Sequence, residues 1–295
     1  MRILILLTIL FFSASPAESR DSSRLFRFAA HDTANTTEGS DTLGFAAPAT
    51  FTPSILPPIT EQSFYSLNNP LFLTGTAATT AGLIHFDQQT YTVLRGWRKR
   101  SAILSTLSPD ITNLGNGAVS AGLFAGYYGY GALFDNEQTT LTGRIGLESF
   151  AVSGAGVQFL KMMFGRQQPS VATVPGGRWQ GPFSYFDHDR GPNKGIASFD
   201  AFPSGHTTTA FAAATTIADA YDNCWVSCAA YTVASGIGIS RVMESQHWLS
   251  DCFVGGMIGT FSTRMVERFN SMPSYVQIAP SATRSGYGVS LLLSI

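Results

Sequence analysis

The sequence predicts a mainly α-helical bundle of about six or seven helices with a short C-terminal β-hairpin or tail, and three observations carry that expectation. Between Asn69 and Phe269 the chain runs in long, nearly uncharged stretches broken by capping residues, prolines and glycines. Of its 295 residues only 13% are charged against 44% apolar, and its 29 glycines with many Ala and Thr suit helices packed at close range. Strand-like alternation is confined to Tyr275–Ile295, around Ser285, Gly286, Tyr287 and Gly288. The apolar content excludes disorder of the whole chain, and a net charge of -1 argues against a protein built to hold nucleic acid.

The elements follow in order. Arg2, the largely apolar run Ile3–Phe12 and the small residues Ser15 and Ala17 read as a secretory signal peptide over 1–17, because a spanning anchor needs about 17 to 25 apolar residues. The expected location is therefore outside the cytoplasm, periplasmic or membrane-associated in the cell envelope. Residues 18–62 read as a flexible Pro/Ser/Thr-rich arm, 63–272 as the helical domain and 273–295 as the tail or hairpin. Asn69-Pro70 starts a first helix through Ile84, and a second runs from Asp87 to Arg100, where Arg95, Arg98, Lys99 and Arg100 complement the helix dipole.

Ser108-Pro109-Asp110 opens a third helix. The 24 uncharged residues between Asp110 and Asp135 are long enough to cross a bilayer, yet Asn113, Asn116 and six glycines fit a buried bundle helix equally well. A long helix then runs to Phe164, with Gly143, Gly146, Gly154 and Gly156 permitting close neighbours and Gly165 as its stop. In the loop 166–202, the aromatic residues Trp179, Phe183, Tyr185 and Phe186 are expected to line or cover a substrate entrance. Asp187-His188-Asp189 reads as a solvated turn. Helices over 205–221, 223–241 and 246–269 complete the bundle. Cys224, Cys228 and Cys252 read as small buried hydrophobes.

Three clusters in the core 161–251 carry residues that packing alone does not ask for. Lys161, Arg166 and Gln168-Pro169 flank the end of the long helix. Pro203-Ser204-Gly205-His206 opens the next helix, where the first backbone N–H groups lack partners and bind anions; an ordinary capped helix with an incidental His has the same text. Ser240-Arg241, His247 and Asp251 form the third. His247 and Asp251 lie four apart, as a carboxylate-oriented imidazole does, but also as a metal ligand with its outer partner or a solvated pair does. Arg and Lys near both histidines are the usual complement of a phosphate.

Taken together and in this order, the clusters resemble the three-part signature of the phosphatidic acid phosphatase type 2 family, relatives of the vanadium haloperoxidases and bacterial acid phosphatases. The second and third parts match at every defining position. The first departs, since Gln168 stands where the family pattern has Arg.

The resemblance implies a helical bundle of that family's type. It also implies a metal-independent phosphatase that hydrolyses a phosphomonoester or pyrophosphate, carried on a lipid or a small soluble molecule, through a phosphohistidine. Lys161, Arg241, Ser204 and Gly205 would hold the phosphoryl oxygens, with Arg166 and Gln168 as further contributors. His247, oriented by Asp251 through its Nδ1 proton, would attack phosphorus, and His206 would protonate the leaving group. No cofactor or metal is implied, and the partners are the phosphorylated substrate and a membrane surface, without nucleic acid. Two alternatives stand beside this: a haloperoxidase with vanadate in the same pocket, and an envelope protein whose catalysis is weakened by Gln168.

Overall fold

A computed structural model describes residues 70–182, 184 and 199–271, together with the backbone of two strands. The signal peptide 1–17, the arm 18–62, the loop residues Phe183, Tyr185 and Phe186 and the Asp187-His188-Asp189 turn lie outside the described residues. Seven helices are described: α1 (Pro70–Arg100), α2 (Ala102–Leu114), α3 (Gly117–Leu133), α4 (Glu137–Phe164), α5 (Gly205–Tyr221), α6 (Cys224–Met243) and α7 (Leu249–Ser271). The chain is mainly α-helical, as its composition predicts.

A helical unit extends to Val266, and Glu267–Ile295 falls in a second unit. Within that second unit β1 (Val276–Thr283) and β2 (Gly286–Leu293) pair antiparallel, from Val276 opposite Leu293 to Thr283 opposite Gly286.

Three boundaries differ from the sequence reading. The first two predicted helices are one continuous 31-residue helix, and Asp87, read as a helix start, is fully buried in its middle. The next helix begins at Ala102, capped by the Ser101 hydroxyl accepting from the Leu104 N–H, and carries Pro109 inside it. The uncharged stretch 110–135 is broken at Gly115-Asn116, where Asn116 caps α3, so it is two shorter helices. Among the described residues the helix long and apolar enough to cross a membrane is instead α6, with mean hydropathy 1.2. Of the cysteines, only Cys252 is buried; Cys224 is exposed.

The bundle is organised by helices that approach closely. In α4 the buried residues Thr142, Ile145, Ser149, Ser153, Val157 and Lys161 recur at helical spacing, so one interior stripe ends on a lysine. Gly143 and Gly146 face the Tyr128 backbone and the Phe124 ring of α3, where an added Cβ would lie 2.3 and 2.2 Å from its nearest neighbours; Gly154 and Gly156 meet nothing. Helix α5 is buried on nearly all sides. Its threonines satisfy their hydroxyls on carbonyls one turn back, as Thr208 does on Ser204 and Thr215 on Phe211, both at 2.8 Å. One apolar cluster joins Leu83, Tyr91 and Leu94 of α1 to Val242 and Met243 of α6 and Trp248 and Phe253 around the start of α7. That cluster lies at the end of the bundle at which the candidate site residues meet.

Candidate active site

The ends of four helices bring the three clusters together. Lys161 lies in the last turn of α4, whose chain leaves through Gly165 in the left-handed conformation. Ser204 caps α5, its Oγ accepting from the Thr207 N–H at 3.4 Å and the Thr207 hydroxyl at 2.9 Å. Its own N–H donates to the Asp251 carbonyl at 3.0 Å, which ties the start of α5 to the start of α7. Arg241 lies in the last turn of α6.

Two cations meet at this junction. Lys161 is buried and its Nζ donates to the Asp200 carbonyl; burial pulls its pKa down, against the pull of Asp200 and Asp251. Arg241 is largely buried; among the described residues its Nε has no hydrogen-bond partner, and a Glu244 carboxylate oxygen lies 3.9 Å from Nη1. Burial likewise lowers its pKa. Gly205 opens α5 beside them, and a Cβ there would find only Val157, at 4.0 Å. A helix start, a buried and a largely buried cation and bare backbone are an arrangement that can receive an oxyanion.

Both histidines are set as neutral imidazoles. His247 is buried, and its Nδ1 lies 2.6 Å from the Ala201 carbonyl. A carbonyl can only accept, so the proton is on Nδ1 and Nε2 keeps its lone pair. Burial first, then Lys161 and Arg241, hold its pKa well below 6.5. The expected bond from Nδ1 to Asp251 is therefore corrected: Asp251 lies 4.0 Å away, and its oxygens accept from the Trp248 N–H at 2.8 Å and Arg166 at 2.6 Å. The backbone carbonyl takes the orienting role because the Phe199–Phe202 strand of loop runs past the imidazole. His206 is half-buried, and burial with Arg241 and Lys161 pushes its pKa down to about 4.

Arg166 and Gln168 are placed differently from the simplest phosphate-binding expectation. All five N–H groups of Arg166 are engaged: Nη1 with the Ser250 hydroxyl and Asp251, Nη2 with Asp87 and the Gly176 carbonyl, and Nε with Gly176. No donor is left for a phosphate oxygen. The guanidinium also sits over the rings of Trp179 and Trp248, 4.6 and 5.3 Å from their centroids. Gln168 is buried, and its amide donates to the Asp200 carboxylate.

Asp87, Asp200, Ser250 and the Ala201 carbonyl are participants that sequence reasoning missed. A signal existed for the first: Asp87 is the only Asp, Glu, Lys or Arg between Pro70 and Leu94.

A cleft of about 190 Å³ reaches the junction, lined by Gly115, Gly117, Gly154, Val157, Lys161 and His206 among others. Among the described residues no group of three or more His, Cys, Asp or Glu is arranged to hold a metal ion.

Comparison with known proteins places these features in a family. A model described as PAP2 superfamily matches residues 144–272. A lipid A 1-phosphatase of Rhizobium etli is 30% identical over 178 residues, which are 56% of this chain and 70% of that protein. A lipid A 1-phosphatase of Porphyromonas gingivalis is 48% identical over 62 residues, 20% of this chain, and that stretch spans 14% of the relative's length. Among solved structures, a transmembrane PAP2 type phosphatidylglycerolphosphate phosphatase of Bacillus subtilis aligns with 67% of this chain and 94% of its own at 18% identity and a TM-score of 0.49. The family match contains Lys161, His206, Arg241, His247 and Asp251, and with a relative matched over most of its length the chain belongs to the PAP2 superfamily.

Proposed function

We propose that the protein is a phosphatase that removes a terminal phosphate from a lipid-borne phosphomonoester or pyrophosphate, through a phosphohistidine on His247 and without a divalent metal. The observation that carries this reading is the pairing of a largely buried Arg241, whose Nε has no acceptor among the described residues, and a buried Lys161 with an imidazole whose Nε2 lone pair is free of its own proton. Lipid A 1-phosphatases among the relatives support a lipid phosphate as the substrate class. Large apolar side chains on the surface, including Leu71, Ile103, Leu133, Phe134 and Trp225, support association with a membrane of the cell envelope.

In this reading Lys161, Arg241, the Ser204 hydroxyl and the Gly205 N–H hold the phosphoryl oxygens and stabilise charge as it shifts onto them. His247 Nε2 attacks phosphorus as the bond to the leaving oxygen breaks. Burial, then Arg241 and Lys161, lower the pKa of His206; the bound dianion offsets the two cations and favours the protonated imidazole, which gives its proton to the leaving alkoxide. Neutral again, His206 takes a proton from water as that water attacks phosphorus; the P–N bond breaks and His247 returns to its starting form. Chain cations supply the charge stabilisation that a metal would otherwise bring. The leaving group extends into the cleft beside Gly154 and His206. Arg166 and Gln168 contribute by holding neighbours, not by touching phosphate.

The reading is tested by phosphate release from para-nitrophenyl phosphate and from a lipid phosphate in excess EDTA. Activity that survives EDTA and disappears in His247→Ala supports it. Parental activity in His247→Ala, or complete loss in EDTA, overturns it.

A further inference from the structure

Asp87 lies outside all three motif clusters and outside the family match, yet it is fully buried and bonded into the site. Its Oδ1 accepts the Ser250 N–H at 3.0 Å, and its Oδ2 accepts the Ser250 hydroxyl at 2.5 Å and Arg166 Nη2 at 2.7 Å. Arg166 carries the linkage on, donating to Asp251 at 2.6 Å, and the second oxygen of Asp251 receives the Trp248 N–H next to His247. A carboxylate in mid-α1, a guanidinium from the loop after α4 and a carboxylate in the first turn of α7 thus form one buried series ending 4.0 Å from the imidazole.

We infer that Asp87 is a positioning residue for the reaction: acting through Arg166 and Ser250, it fixes the first turn of α7 and so the position and aim of the His247 imidazole. Its reach is specific. Asp87 bonds to the first turn of α7 and to Arg166, whereas the oxyanion cations Lys161 and Arg241 are held from α4 and α6. A buried partner with two acceptor oxygens is needed because Arg166 directs Nη2 and Ser250 directs both its N–H and its hydroxyl at the same carboxylate. An amide at this position would turn a donor toward one of them. Misplacing a nucleophile by about 1 Å costs on the order of 100-fold in rate, so loss of this support is read in kcat and not in the binding of an oxyanion.

The inference rests on His247 being the nucleophile, and its test separates the two. Asp87→Asn and Asp87→Glu are compared with the parent for kcat, KM, the rate of phosphoenzyme formation in a quenched burst and inhibition by vanadate, with thermal unfolding as the check on folding. The expected result is a drop of about 10- to 100-fold in kcat and in burst rate, with KM and the vanadate inhibition constant within about threefold of the parent. The double variant Asp87→Asn/Arg166→Met should be no slower than Arg166→Met alone, since the two act in series. If Asp87→Asn fails to fold, Asp87→Glu decides, because it keeps the charge and displaces only the carboxyl group. Parental kcat in a folded variant, or parallel loss of kcat and vanadate binding, overturns the inference. Failure to label His247 in the parent overturns the underlying reading instead.

Discussion

Replacing Arg241 by Met should make the protein more stable and far less active. Arg241 is largely buried, its Nε has no acceptor, and the Glu244 carboxylate stands 3.9 Å off. An unsatisfied buried donor costs about 1–3 kcal/mol, more when charged. Methionine keeps most of the apolar stem, and Glu244 keeps its 2.8 Å bond from the Thr112 hydroxyl, so removal of the cation should recover about 1–3 kcal/mol. For a domain of this size each kcal/mol is worth about 2–4 °C in Tm. On the other side, a charge-assisted hydrogen bond to phosphate is worth about 1.5–3 kcal/mol, and loss of two predicts a fall of at least about 100-fold in kcat/KM. The assay pairs thermal unfolding without ligand with phosphate release at subsaturating substrate. A variant less stable than the parent, or one within threefold of its kcat/KM, would refute the assignment of Arg241 as an anion ligand held in waiting.

Two further outcomes follow from the same geometry. Burial and the two cations hold His206 at about 4 against an ordinary 6.5; between those values the unfolded chain binds a proton that the folded chain refuses, so His206 lowers stability as pH falls from 6.5 toward 4 and contributes nothing above. Vanadate, by offsetting the cations, should raise the pKa of His206 and so bind with net proton uptake near pH 5.5, measured by calorimetry in buffers of different ionisation enthalpy, and His206→Gln should abolish that uptake. Gly154 borders the cleft with nothing within 4 Å of a would-be Cβ. Gly154→Leu should therefore leave Tm unchanged or higher, since leucine favours the helix by up to about 1 kcal/mol over glycine. The same change should cut kcat/KM on a lipid phosphate about tenfold while sparing para-nitrophenyl phosphate; equal loss on both would remove the cleft from substrate binding.

Much of the fold was legible because its signals are local. Asn136, Ser204 and Gly165 mark helix ends by side-chain and backbone chemistry that acts within one turn, and those boundaries stand where the sequence places them. Asp87 shows what a local reading misses. A carboxylate in the middle of α1 looks like a helix start until Arg166, 79 residues away, and Ser250, 163 residues away, supply its partners. Pro109 likewise lies inside α2 instead of opening it.

The site divides in the same way. Residue types and spacing brought Lys161, His206, Arg241 and His247 together, since the first three sit at the ends of capped helices and His247 lies two residues before α7. The acceptor for His247 Nδ1 was not legible, because a backbone carbonyl at Ala201 carries no side-chain signature. Nor was the engagement of Arg166: an arginine two residues before Gln168 reads as a phosphate ligand until its five donors are accounted for.

The proposed chemistry stands or falls on the nucleophile. The most direct measurement is rapid acid-free quenching of a reaction with a substrate labelled in its terminal phosphate, in excess EDTA, followed by mapping of any acid-labile, alkali-stable label on the chain. The expected result is label on the peptide that holds His247, formed at least as fast as turnover and absent from His247→Ala. Turnover without any label on that peptide, or label that persists in His247→Ala, would contradict it.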